Sequence, residues 1–119
     1  MTILSHLFVV SLPKILSFLL KMKIAIYIRQ YSEENEAILK ELFTLLLPSD
    51  KVFIEREILS DLNDRSEQFL KAKSFASFED LNSSYDVMLT IGGDGTLLKG
   101  VTYVRNLQIP ILGINAGRL

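Results

Sequence analysis

The chain has 119 residues, 49% of them apolar and 23% charged, with 13 basic and 14 acidic side chains. That length and balance fit one small core-forming domain and argue against a disordered chain or a nucleic-acid-binding stripe, since the cations are interleaved with acids. No cysteine is present and His6 is the only histidine, which argues against a disulfide framework, a thiolate or multi-histidine metal site, or a His-centred triad, and fits a reducing cytosol.

Residues 1–21 form an apolar N-terminal extension, interrupted from Leu7 onward by Ser11, Pro13, Lys14 and Ser17. It lacks the cationic start and small-residue cleavage site of a secretory signal, and Pro13-Lys14 breaks the ~20-residue apolar run that a spanning helix needs. Two readings stand: an over-extended gene start with Met22 as the true first residue, which is the expectation, and a weak anchor or signal-like segment.

Lys23–Ile28 predicts a first strand, followed by the loop Arg29-Gln30-Tyr31. Ser32 is placed as an N-cap with Glu33 and Glu34 complementing the dipole, and Ala37, Ile38, Leu42, Leu45 and Leu46 then recur at helical spacing until Pro48. Lys51–Glu55 predicts a second strand with Val52 and Ile54 on one face and Phe53 on the other. Ser60–Ser84 carries weaker signals. Asp61, Asn63 and Asp64 offer caps, Glu67–Lys71 reads as helical, and Phe75, Phe78 and Leu81 read as anchors of a long loop.

Val87–Ile91 is apolar except for Thr90 and does not alternate, the pattern of a parallel strand buried on both faces. It runs into Gly92-Gly93-Asp94-Gly95, after which Thr96–Arg105 resumes with helical spacing and carries Leu97, Val101 and Val104 inward. Lys99 and Arg105 belong to its solvated face. Ile111–Ile114 predicts a fourth strand after Pro110. The order β-α-β-(α)-β-α-β predicts an α/β fold with a Rossmann-like, open, mostly parallel sheet.

Such sheets bind ligands beyond the carboxyl ends of their strands, where Gly92–Gly95 and Asn115–Gly117 both fall. Gly92, Gly93 and Gly95 can take positive φ and lack a Cβ, so backbone N–H groups at the positive end of a helix can approach a polyphosphate. The same turn also occurs for packing alone, with Asp94 as an N-cap. Asn115 either contacts a ligand or satisfies local backbone, Arg118 is a surface or interdomain cation or a phosphate clamp, and Arg29, just after the first strand, can face the same crevice.

The string Gly92-Gly93-Asp94-Gly95-Thr96-Leu97-Leu98 fits neither Walker A nor the dinucleotide fingerprint G-x-G-x-x-G. It resembles the motif shared by the NAD kinase, diacylglycerol and sphingosine kinase, and 6-phosphofructokinase superfamily. The continuation Ile109-Pro110-Ile111-Leu112-Gly113-Ile114-Asn115-Ala116-Gly117-Arg118-Leu119 is similar to the NAD kinase version, whereas the lipid kinases usually carry a Gly-Thr-Gly-Asn-Asp type segment at Asn115–Leu119. Relatives often place Gly where this chain has Ile28.

The resemblance spans Met22–Leu119 and implies the N-terminal domain of a two-domain kinase, residues 22–119, incomplete at Leu119, where the family continues into a second, β-rich domain. The implied reaction moves the γ-phosphoryl of ATP, or a polyphosphate end group, to the adenosine-ribose 2′-hydroxyl of NAD. Asp94 is then the base or the orienter of that hydroxyl, Gly92, Gly93, Gly95 and Thr96 contact phosphates, and Asn115 lies near the dinucleotide. Mg²⁺ or another divalent cation is the implied cofactor. A cytoplasmic, homo-oligomeric full-length enzyme without nucleic-acid or membrane partners is expected, with the fragment inactive by itself. Two alternatives remain at this point, a lipid kinase sharing the turn and a nucleotide-binding or assembly module without catalysis.

Overall fold

The computed structural model describes residues 22–46, 51–70, 72–104 and 107–115. The calls on residues 1–21, Pro48, Lys71, Arg105, Gly117 and Arg118 lie outside them. Among the described residues, strand β1 (Ile24–Tyr27) leads to helix α1 (Glu33–Leu46), then β2 (Val52–Glu55), α2 (Arg56–Asn63), β3 (Lys73–Phe75), β4 (Val87–Ile91), α3 (Asp94–Val104) and β5 (Ile111–Ile114). Single 3₁₀ turns lie at Glu67–Phe69 and Phe78–Asp80.

The strands form one parallel sheet in the order β3-β2-β1-β4-β5. Strand order runs outward from β1 through β2 to β3, then reverses to β4 and β5. The switch point of this α/β sheet therefore falls between β1 and β4, at their carboxyl ends.

Strand periodicity sorts side chains into two cores. Ile24, Ile26, Val52, Ile54, Val87, Leu89, Ile91, Leu112 and Ile114 pack with α1 and α2 through Leu39, Phe43, Leu46, Ile58, Leu59 and Leu62. Ala25, Tyr27, Met88 and Ile111 pack on the other face with Val104 of α3, flanked by Leu97 and Val101. The central strands are buried on both faces, which is why β4 reads as a continuous apolar run.

Ser32 caps α1 as expected, its hydroxyl accepting from the Asn35 N–H at 3.0 Å. Three expectations need correction. Of the three offered caps, Asp64 is one, closing α2 at its C-terminus, whereas Asp61 and Asn63 lie inside the helix. The helix begins directly after β2 without a loop, because the Glu55 carboxylate accepts the Glu57 N–H at 2.6 Å and serves as its cap. Phe75 anchors a short edge strand, not a loop, with Lys73 and Ser74 exposed beside it. Of the helix predicted from Glu67, the described residues form a single 3₁₀ turn, Glu67–Phe69.

Helix α3 also seats differently from its apolar pattern. Its most buried positions are Thr96, Gly100 and Val104, one helical row, with Leu97 and Val101 only partly buried beside them. Gly100 allows this close approach: a Cβ there would lie 2.7 Å from Thr90 Cγ2. No described helix is long and apolar enough to cross a membrane.

Candidate functional site

Strand β4 delivers its chain to the switch point, and Gly92 turns it. Gly92 has φ 146°, a region that residues with a side chain rarely adopt, and a Cβ on it would sit 2.5 Å from Thr96 Oγ1. Its N–H donates to the Ile114 carbonyl at 3.0 Å, which ties the turn to the end of β5. The Gly93 carbonyl accepts the Leu97 N–H at 3.2 Å, so Gly93 is the cap position and α3 starts at Asp94.

This corrects the alternative in which Asp94 is the N-cap. Asp94 stands in the first turn of α3, exposed, and its carboxylate makes no hydrogen bond or ion pair with a described residue. Gly92 alone among the turn glycines has positive φ. Gly93 and Gly95 are there for space. Nothing lies within 4 Å of where a Gly93 Cβ would be, and a Gly95 Cβ would meet only Arg29 Nη1, at 2.9 Å.

The contact at Gly95 also places Arg29. Its guanidinium reaches from the end of β1 across the switch point to the first turn of α3, and the first-turn N–H groups of that helix lack intrahelical partners. A cation, a positive helix end and a side-chain-free backbone thus meet at one place.

Between β4 and β5 opens a crevice of about 140 Å³ lined by Thr90, Gly92, Gly93, Asp94, Leu97, Gly113, Ile114 and Asn115. The Gly92–Gly95 turn and Asn115 at the end of β5 both contribute to it, because β4 and β5 are neighbours and Thr90 pairs with Gly113. Asn115 is half-buried there, and its amide makes no hydrogen bond to a described residue. Thr96 is buried with its hydroxyl against the Gly92 backbone, so it shapes the turn from inside. Among the described residues the crevice is smaller than the ~300 Å³ from which ligand pockets usually start.

Sequence reasoning missed Thr90 and Gly113 as lining residues. Thr90 is 2% exposed and lines the crevice from inside the sheet. The signal was available: a lone hydroxyl in an apolar strand just ahead of a glycine turn. Tyr27 and Tyr103, whose rings lie 4.9 Å apart, border the other side of the switch point. Burial pushes the Tyr27 phenol up to about 12, so it stays protonated at neutral pH. Burial also raises Glu55 above the usual carboxylate range, against the pull of its capping hydrogen bonds.

No group of three or more His, Cys, Asp or Glu among the described residues could hold a metal. Asp94 is the one carboxylate on the crevice. One carboxylate does not make a resident metal site, since Mg²⁺ needs near-octahedral oxygen ligation and takes much of it from substrate phosphates and water.

The ATP-NAD kinase N-terminal domain profile matches residues 13–119. The chain is 41% identical over 99 residues to an NAD kinase of Christiangramia forsetii and 39% identical over 99 residues to one of Flavobacterium johnsoniae, in each case covering 82% of this chain and 34% of the relative. An NAD kinase of Bacteroides fragilis is 38% identical over 99 residues, 82% of this chain and 33% of the relative. The chain therefore spans about a third of the length of the curated relatives it matches.

Proposed function

The chain belongs to the ATP-NAD kinase family, and from that premise we propose that it supplies the phosphate-holding half of a site that converts NAD to NADP. The observation that carries the proposal is the Asp94 carboxylate, exposed on the crevice and unpartnered beside the open end of α3. Phosphoryl transfer demands positioning and charge neutralisation above all. Backbone N–H groups of Gly93, Asp94 and Gly95, with the Arg29 guanidinium, hold phosphate oxygens. Asp94 accepts the proton of the attacking 2′-hydroxyl of the adenosine ribose, and Asn115 orients the dinucleotide from the β5 side.

ATP is the proposed donor, with an inorganic polyphosphate end group as the variant. Mg²⁺ brought in on the donor's phosphates would neutralise charge on the transferred group, which leaves the Asp94 carboxylate to take the proton. The small volume of the crevice favours a second element in the same proposal: residues 1–119 alone hold a phosphate but do not turn over, and catalysis needs the rest of a full-length, cytoplasmic enzyme.

The test is NADP formation from NAD and ATP by the full-length protein. ATP-dependent NADP formation supports the proposal. Phosphorylation of diacylglycerol in place of NAD overturns it, and turnover by residues 22–119 alone overturns the need for a second domain.

A further inference from the structure

Arg29 reaches the first turn of α3 from an irregular loop, Arg29-Gln30-Tyr31, in which Arg29 and Gln30 are exposed. A guanidinium on such a loop is aimed only as well as the backbone beneath it is held. Two contacts from outside the loop hold that backbone.

The first comes from α1. The Asn35 side-chain amide donates to the Gln30 carbonyl at 3.1 Å, while the Asn35 backbone N–H donates to the Ser32 hydroxyl at 3.0 Å and the Glu36 N–H to the Ser32 carbonyl at 2.9 Å. The exit of the loop is thereby tied to the first turn of the helix.

The second comes from the end of α2. The Arg65 guanidinium carbon lies 3.9 Å from the Tyr31 ring centroid, closer than the other cation–ring contacts among the described residues. Arg65 stands on fixed backbone, because its N–H and that of Ser66 both donate to the carbonyl of buried Leu62, at 3.0 and 2.9 Å. Asp64 and Glu67 flank it in the chain, yet Arg65 forms no ion pair with a described carboxylate and lies on the ring instead. Tyr31, although in a loop, is half-buried. A planar guanidinium stacked on an aromatic face is a directional contact, which a solvated surface cation would not make.

We propose that Arg65, through Tyr31, and Asn35, through Gln30, are positioning residues that clamp the loop from either side and so direct Arg29 over the phosphate turn. The proposal rests on the phosphate-holding role given to Arg29 above. Holding the loop in its binding geometry removes part of the ordering cost when a phosphate docks, and misplacement of a positioning group weakens catalysis even where no reacting atom is touched.

The test uses the full-length protein and two readouts, amide hydrogen exchange at Gln30–Ser32 and the kinetics of NADP formation. Arg65→Gln and Tyr31→Leu are each expected to speed exchange in the loop and to lower kcat/KM by about three- to fivefold, the scale of one exposed cation–ring contact. Tyr31→Phe keeps the ring face and is expected to match wild type in both. Exchange in β4 is expected to stay unchanged, which separates loop release from general unfolding. In an Arg29→Ala background, Arg65→Gln is expected to lower kcat/KM no further, because its effect passes through Arg29. Unchanged loop exchange in Arg65→Gln overturns the clamp, and an equal kinetic loss with and without Arg29 overturns its action on that residue. A full-length protein that forms no NADP overturns the functional reading instead, and the two failures are told apart because exchange does not depend on turnover.

Discussion

Alanine substitution along the turn separates glycines needed for folding from those needed for ligand approach. Gly92→Ala forces a side chain onto φ 146° and puts its Cβ 2.5 Å from Thr96 Oγ1 and 3.1 Å from Thr96 Cβ. Thr96 is buried and β-branched and cannot swing aside. Backbone strain of about 1–3 kcal/mol adds to overpacking of similar size. At ~4–8 °C per kcal/mol for a domain of this size, Tm should fall by about 10 °C or more. Gly93→Ala meets no atom within 4 Å and loses at most about 1 kcal/mol for a poorer cap. Gly95→Ala displaces only the flexible tip of Arg29 and gains up to ~1 kcal/mol of helix propensity. In the full-length enzyme, however, Gly93→Ala should lower kcat/KM for phosphoryl transfer by about a hundredfold, because its methyl group occupies the space the phosphate needs. Thermal unfolding and steady-state NADP formation, run on the same three variants, decide the matter. Wild-type kinetics for Gly93→Ala, or an unchanged Tm for Gly92→Ala, would refute the reasoning.

Asp94→Asn should cost about a hundredfold or more in kcat, the scale of a lost general base, with less than ~1 kcal/mol lost in stability because the carboxylate is exposed and not the cap; wild-type turnover removes the proton-acceptor role. Gly100→Ala should destabilise by about 1–2 kcal/mol through contact with Thr90 Cγ2, and Thr90→Ser, which deletes that methyl group, should recover part of the loss in a double-mutant cycle of unfolding free energies. Tyr27 titrates at about 12 when folded and near 10 when unfolded, so its contribution to stability is complete below pH 10 and lost as pH rises towards 12; Tyr27→Phe should flatten that part of the alkaline unfolding curve. Glu55→Gln keeps an acceptor for the Glu57 N–H while removing a charge that burial disfavours, so stability at pH 7 should hold or rise, as measured by urea unfolding.

The parts of the fold legible in the sequence were those where one signal ruled. Ser32 ahead of two glutamates fixed a helix start, and the unalternating run before Gly92 marked a doubly buried strand. The region from Arg56 to Phe75 was obscure for a physical reason. Helix α2 starts with no loop, capped by Glu55, a residue that reads as the polar end of a strand. Strand β3 is three residues on a sheet edge, and only Phe75 is buried, so it offers no period to detect. In the candidate site, the glycines and Asp94 were visible as a string, while Thr90 and Gly113 were not. Their meeting depends on the pairing of β4 with β5, a register that local spacing does not encode.

That pairing also explains how a turn this short can hold its geometry. The Cγ2 of Thr90 fills the space left by Gly100 on α3, and Leu97 of the same helix packs over Gly113 of β5. The helix is thereby keyed to two adjacent strands one and two turns below its first residue, and the Gly92 N–H locks the turn to the end of β5. In the proposed role, a phosphate at the open end of α3 would meet backbone donors whose direction is set by packing in the sheet. Preorganised donors of that kind stabilise developing charge without the cost of reorienting as it appears. Arg29, by contrast, enters on a flexible side chain from β1, which suits a contact made after the phosphate has docked.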